Sequence, residues 1–133
     1  MIPYGRQTID ADDEAAVLAA LHSPFLTQGP RVEAFEAEIA AYVGAKHCVA
    51  VANATLGLQL AYAALELGAG EGITSPITFV ATASAMEQVG LEPVFADVDP
   101  ETVNLSPRAL DAAIGPQTRL VAPVHFAGLP CDM

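Results

Sequence analysis

Three stretches of the chain carry residue types whose spacing could do chemistry. In Asn53-Ala54-Thr55-Leu56-Gly57 an asparagine able to cap a helix precedes a small residue and a hydroxyl. Such a turn could hold a phosphate on free N–H groups at Leu56 and Gly57, with the Thr55 hydroxyl added. It lacks the Gly-x-Gly-x-x-Gly and Gly-Lys-Thr patterns of nucleotide folds, so on its residues alone a capped helix holding nothing is the commoner outcome. In Ser75-Pro76-Ile77-Thr78-Phe79-Val80-Ala81-Thr82, Phe79 could join a core or offer a flat face to an aromatic ring; such stacking adds about 1 kcal/mol. Thr78 and Thr82 are caps or solvated hydroxyls in the ordinary case. In Pro123-Val124-His125-Phe126-Ala127-Gly128, His125 ends an apolar run, and no cysteine, serine or zinc ligand is spaced to make it a catalyst. Asp97, Asp99 and Glu101 resemble paired acids for metal or glycoside chemistry, but Asp99-Pro100 opens turns and a solvated turn is the stronger reading. His22 and His47 read as surface residues.

The elements that must position these residues alternate between helix and strand. Residues 11–22 read as a helix with acids in its first turn and an apolar stripe of Val17, Leu18 and Leu21. Pro30 suits the first turn of a second helix, which Gly44 stops after Val43. Cys48–Ala52 predicts a buried strand, and residues 55–67 a helix apolar nearly all round and therefore covered on several sides. A loop at 68–72, a brief strand at 73–75, a helix from Thr78 to Val89 and a strand from Glu92 to Ala96 follow. Ser106 caps a helix running to Ile114 with Pro107 at its first position, and Leu120 to Val124 is a last strand. This order predicts an α/β fold: a parallel sheet with helices on its faces, right-handed crossovers, and ligands beyond the carboxyl ends of the strands. With four short strands and no closing hairpin the sheet reads as incomplete, the beginning of a larger domain.

Composition narrows the partners. The 133 residues suffice for one domain with a real core. No apolar run reaches the roughly 18 residues a membrane-spanning helix needs, and the first residues lack a secretory pattern. Cys48 and Cys131 are spaced neither as a disulfide framework nor as metal ligands, so a cytoplasmic protein is the default. A net charge of −11, with Arg6, Arg31, Lys46, Arg108 and Arg119 scattered, disfavours nucleic acid. Lys46 is the only lysine.

Five stretches in fixed order resemble the DegT/DnrJ/StrS family of pyridoxal-phosphate enzymes acting on nucleotide sugars. They are Leu26-Thr27-Gln28-Gly29-Pro30 with Phe35-Glu36, Val51-Ala52-Asn53-Ala54-Thr55, Thr78-Phe79-Val80-Ala81-Thr82, Pro93 to Asp99, and Pro123 to Met133. The opening Ile2-Pro3-Tyr4-Gly5-Arg6-Gln7 and the Asn53-Ala54-Thr55 form are similar to the branch that aminates a UDP-bound 4-keto-6-deoxy sugar, as in pseudaminic acid synthesis. The resemblance covers residues 1–133 as a partial cofactor-binding large domain with an N-terminal helical segment to about residue 44. It implies a type I aminotransferase fold, pyridoxal phosphate as cofactor, a homodimer with sites at the subunit interface, and glutamate as amino donor. By position, Asn53, Ala54, Thr55 and Leu56 would hold the cofactor phosphate. Phe79 would lie against the pyridine ring with Thr82 nearby, His125 would face the substrate, and Thr27, Gln28 and Gly29 would lie near the substrate of this chain or of the partner chain.

The chain also departs from the family pattern. Leu56 stands where a small residue is usual, which alters the packing beside the phosphate. Where the family loop reads Gly-Asp-Glu-Val-Ile, Gly72 runs straight into Ile73-Thr74-Ser75, as if three residues were missing. That loss removes roughly 10 Å of reach and predicts a shortened or shifted strand. The Schiff-base lysine and the acid that protonates the pyridine nitrogen have no counterpart in the chain. Lys46, before a strand and at the edge opposite the cofactor turns, is expected to be a solvated charge, and the chain alone is expected to be inactive. A dehydratase of the same family, with histidine for the lysine, and a non-catalytic truncated protein are the alternatives.

Overall fold

Asp10 shows how local chemistry starts the first element. Its carboxylate accepts from the N–H groups of Asp12 and Asp13 at 3.0 and 3.1 Å, and the Asp13 carboxylate accepts from the Asp10 N–H at 3.0 Å. This reciprocal box opens α1 (Ala11–Leu21). Helix α2 (Pro30–Val43) begins at its proline and ends at Gly44, whose φ of 71° is the left-handed cap expected there. The computed structural model describes residues 5–133, so Ile2 to Tyr4 of the opening motif lie outside the described residues. These residues fall into two compact units, one through Ala50 and the other Val51–Met133.

The second unit contains α3 (Ala54–Ala64), β1 (Gly70–Thr74), α4 (Ala81–Gln88), β2 (Leu91–Phe95), α5 (Pro107–Ala113) and β3 (Thr118–Ala122). The strands form an all-parallel sheet in the order β2-β1-β3. Its two faces carry two cores. Tyr62, Ala85, Met86 and Leu91 cluster where α3 and α4 pack, and Ile73, Ala96 and Leu105 cluster with Leu110 and Ala113 of α5. Helices thus cover both faces, as expected. Gly72 permits the close approach of α4, because a Cβ there would meet the Met86 sulfur at 2.6 Å.

Several boundaries differ from expectation. Cys48–Ala52 forms no strand: among the described residues no strand pairs with it, and the Ala50 N–H donates to the Glu36 carboxylate at 2.7 Å. Strand formation needs a ladder partner, which apolar composition alone does not supply. Strand β1 is not shortened; it begins at Gly70 and pairs on both sides, with a register shift between Glu71 and Gly72. β3 ends at Ala122 because Pro123 has no N–H for the ladder. Pro93 is accommodated because β2 is an edge strand. Helix α3 is less covered than its composition predicts, with Leu56 and Leu60 exposed and only Tyr62 buried. α4 starts at Ala81 rather than Thr78, leaving Thr78 and Phe79 in the preceding loop. No helix among the described residues is long and apolar enough to cross a membrane.

Tyr62 is 6% exposed, and its hydroxyl has no hydrogen-bond partner among the described residues. Burial also raises its pKa. A buried unsatisfied hydroxyl carries a desolvation penalty, so Tyr62→Phe is expected to raise stability by about 1 kcal/mol in urea denaturation. A loss of stability would mean that the hydroxyl is satisfied in solution.

Candidate cofactor site

Because the three strands run parallel, the segments leaving them share one edge of the sheet. Ser75–Val80 follows β1, Ala96–Asp99 follows β2 and Pro123–Gly128 follows β3. Helix α3 precedes β1 in the chain and packs against α4. Two of the three chemistry-bearing stretches follow strands at this edge, and the third opens α3.

Asn53 caps α3 as expected: its side-chain oxygen accepts from the Leu56 N–H at 3.0 Å. The Gly57 N–H donates to the Asn53 carbonyl at 3.1 Å. Both N–H groups expected to be free for an anion are therefore engaged within the turn. The donors left without intrahelical partners are those of Ala54 and Thr55, the first two helical residues. Together with the half-buried Thr55 side chain they make the part of the turn that can meet an anion at the positive end of the helix dipole. Leu56 is exposed and faces an open groove of about 650 Å³ that it shares with Leu60 and Val89; Thr55, Phe79 and Thr82 do not line it.

Before α4 the chain is shaped by Ser75, whose buried hydroxyl accepts from the Ile77 N–H at 3.0 Å. Phe79 follows and is 74% exposed, so it is no core residue and its ring is available at the sheet edge. Thr82 is 9% exposed, and its hydroxyl lies 2.7 Å from that of Thr78. That pair braces the loop carrying Phe79. Composition gave no signal for Thr74, which is buried and donates its hydroxyl to the Ala122 carbonyl at 2.8 Å, joining the exits of β1 and β3.

His125 is exposed and precedes a short 3-10 turn at Phe126–Gly128. Its Nδ1 accepts from the Cys131 N–H at 3.0 Å. The carboxylates form the solvated turn expected of them: Asp99 accepts from the N–H groups of Glu101 and Thr102 at 2.9 and 3.0 Å, and no cluster among the described residues could hold a metal. Hydrogen bonds from the Thr102 and then the Glu101 backbone hold the Asp99 carboxyl below its usual pKa. A depressed folded-state pKa adds stability that is complete above the unfolded value of about 4 and lost as pH falls through the lower folded value. Asp99→Ala is therefore expected to flatten the loss of thermal stability between about pH 5 and pH 3. Equal slopes for the two proteins would refute this.

Thr27, Gln28 and Gly29 belong to the first unit, just before α2. Gln28 takes a left-handed φ of 51°, uncommon for a residue with a side chain. Lys46 is exposed beyond the Gly44 cap, consistent with a solvated charge.

Residues 7–133 match the model of the DegT/DnrJ/EryC1/StrS aminotransferase family. The chain is 47% identical over 133 residues to the spore coat polysaccharide biosynthesis protein SpsC of Bacillus subtilis (strain 168), covering 99% of this chain and 34% of that one. Among solved structures, Spr1654 of Streptococcus pneumoniae, a candidate sugar aminotransferase in its PLP-form, superposes with a TM-score of 0.90. It is 30% identical, over 98% of this chain and 34% of that one. PseC of Helicobacter pylori, an aminotransferase of pseudoaminic acid biosynthesis, gives a TM-score of 0.90 at 35% identity, over 98% and 36% of the two chains. The chain thus spans about a third of the length of these relatives. By this match over residues 7–133, the chain belongs to the DegT/DnrJ/EryC1/StrS aminotransferase family, whose members depend on pyridoxal phosphate.

Proposed function

We propose that this chain supplies the phosphate-binding and ring-supporting part of a sugar aminotransferase site, acting on a keto-deoxy-sugar nucleotide with glutamate as amino donor. The reading is carried by the Asn53-capped start of α3, which leaves the Ala54 and Thr55 N–H groups for an anion, and is supported by Phe79, which stands exposed after β1. These residues fit the cofactor's two recognisable parts, a phosphate dianion and a flat aromatic ring. When bound, the cofactor supplies the electron sink for moving the amino group. The chain's own residues contribute the rest. Ala54 and Thr55 hold the phosphate, with Asn53 and Leu56 shaping the turn. Phe79 backs one ring face while Thr82 braces its loop. His125 serves the sugar nucleotide, and a UDP-linked 4-keto-6-deoxy sugar is the proposed substrate. The likeness to PseC and SpsC supports the choice of sugar chemistry. A homodimer belongs to this proposal. So does the inactivity of the 133 residues alone, in which Lys46 is the only lysine.

Calorimetric titration with pyridoxamine phosphate and with pyridoxamine tests the reading. A helix terminus contributes up to about 2 kcal/mol to an anion, so the phosphorylated compound is expected to bind at least about tenfold more tightly. Equal affinities, or no binding of either, would refute it.

A further inference from the structure

Asn104 is 6% exposed and sits in the turn between β2 and α5, yet its side chain reaches across to the chain leaving β3. Its Nδ2 donates to the carbonyls of Leu129 and Pro130 at 3.1 and 3.3 Å, and its Oδ1 accepts from the Phe126 N–H at 2.9 Å. One buried amide thus ties the first residue of the 3-10 turn to the two residues that follow the turn. The turn needs such a clamp, because Ala127 takes a left-handed φ of 50° that an alanine does not favour. Held this way, the segment brings the Cys131 N–H onto His125 Nδ1 and the Cys131 thiol onto the Val124 carbonyl at 3.3 Å.

The consequence falls on His125. An Nδ1 that accepts from a backbone N–H cannot carry a proton in the neutral ring, so the proton sits on Nε2. We propose that Asn104 is a positioning residue for His125: by clamping the β3 exit it sets the imidazole as an Nε2–H donor at the carboxyl edge of the sheet, for an oxygen of the bound substrate. The proposal rests on the reading of that edge as the ligand-binding side. Its test uses no cofactor, so its failure and the failure of phosphate binding at Thr55 are separate results.

Nitrogen-15 spectra of the histidine rings give the tautomer directly. In the unmodified chain, the neutral His125 ring is expected to be almost wholly the Nε2–H form and the Cys131 amide to be protected from hydrogen exchange. Asn104→Ala is expected to restore a tautomer mixture at His125, leave His22 and His47 unchanged, and raise the alkylation rate of Cys131 about tenfold relative to Cys48. Asn104→Asp keeps the acceptor for Phe126 but loses both donors, so it is expected to fall between the two. A folded Asn104→Ala protein with an unchanged His125 spectrum and an unchanged Cys131-to-Cys48 rate ratio overturns the proposal. If neither variant folds, the unmodified chain decides. Protection of the Cys131 amide with a pure Nε2–H ring upholds the proposal, and rapid exchange or a mixed ring overturns it.

Discussion

Ile73→Ala is expected to lower the unfolding free energy by about 2–5 kcal/mol, the range for deleting most of a buried branched side chain. Ile73 is 0% exposed and lies in the central strand, between Val94 on one side and Val121 on the other. Its side chain belongs to the cluster with Ala96, Leu105 and Leu110, the face that α5 covers. The neighbours are strand backbone and a helix held by the Ser106 cap, so they cannot collapse far into the space left behind. Folded domains are stable by only about 5–15 kcal/mol, so this one change removes a large part of the total. Urea denaturation measures it, with Leu60→Ala as the control on the exposed side of α3, expected within about 0.5 kcal/mol of the unmodified chain. A loss below about 1 kcal/mol at Ile73 would show that the sheet centre is loosely packed.

Thr55→Glu is expected to separate folding from ligand binding. Thr55 is the second residue of α3, at the positive end of the helix dipole. A carboxylate there stabilises the helix by about 0.3–1 kcal/mol, so the melting temperature should hold or rise. The same carboxylate occupies the place of the phosphate and repels it. Two like charges about 4 Å apart near a protein surface interact by up to about 4 kcal/mol. We expect the affinity for pyridoxamine phosphate to fall by about a hundredfold, against a loss of about fivefold for Thr55→Ala, where only one hydrogen bond disappears. Undiminished binding by a folded Thr55→Glu protein would remove the phosphate from the start of α3.

The match between residues and elements was closest where one residue decides a local event. Gly44, Asn53 and Ser106 end or begin helices through bonds to backbone groups a few positions away, which the amino-acid order specifies directly. The alternation of helix and strand likewise specified a parallel sheet covered on both faces. Reading failed where an element depends on a distant neighbour. Cys48–Ala52 is apolar and β-rich, but a strand exists only with a ladder partner, and composition does not reveal one. The apolar surface of α3 did not say which of its sides would be covered.

The site divides in the same way. The Asn53 cap and the stretch containing Phe79 could be read in the sequence, because a capping asparagine and an ordered set of short motifs are local features. Which N–H groups remain for an anion could not, since the cap consumes those of Leu56 and Gly57 and leaves those of Ala54 and Thr55. The exposure of Phe79 and the protonated nitrogen of His125 are further from the sequence still. The first follows from α4 starting three residues later than its periodicity suggests, and the second from a bond to Cys131 within a segment that Asn104 holds from more than twenty positions away. Local hydrogen bonding thus determined the caps and the order of elements, whereas burial and long-range pairing, which couple residues the chain keeps far apart, decided which groups are free to meet a ligand.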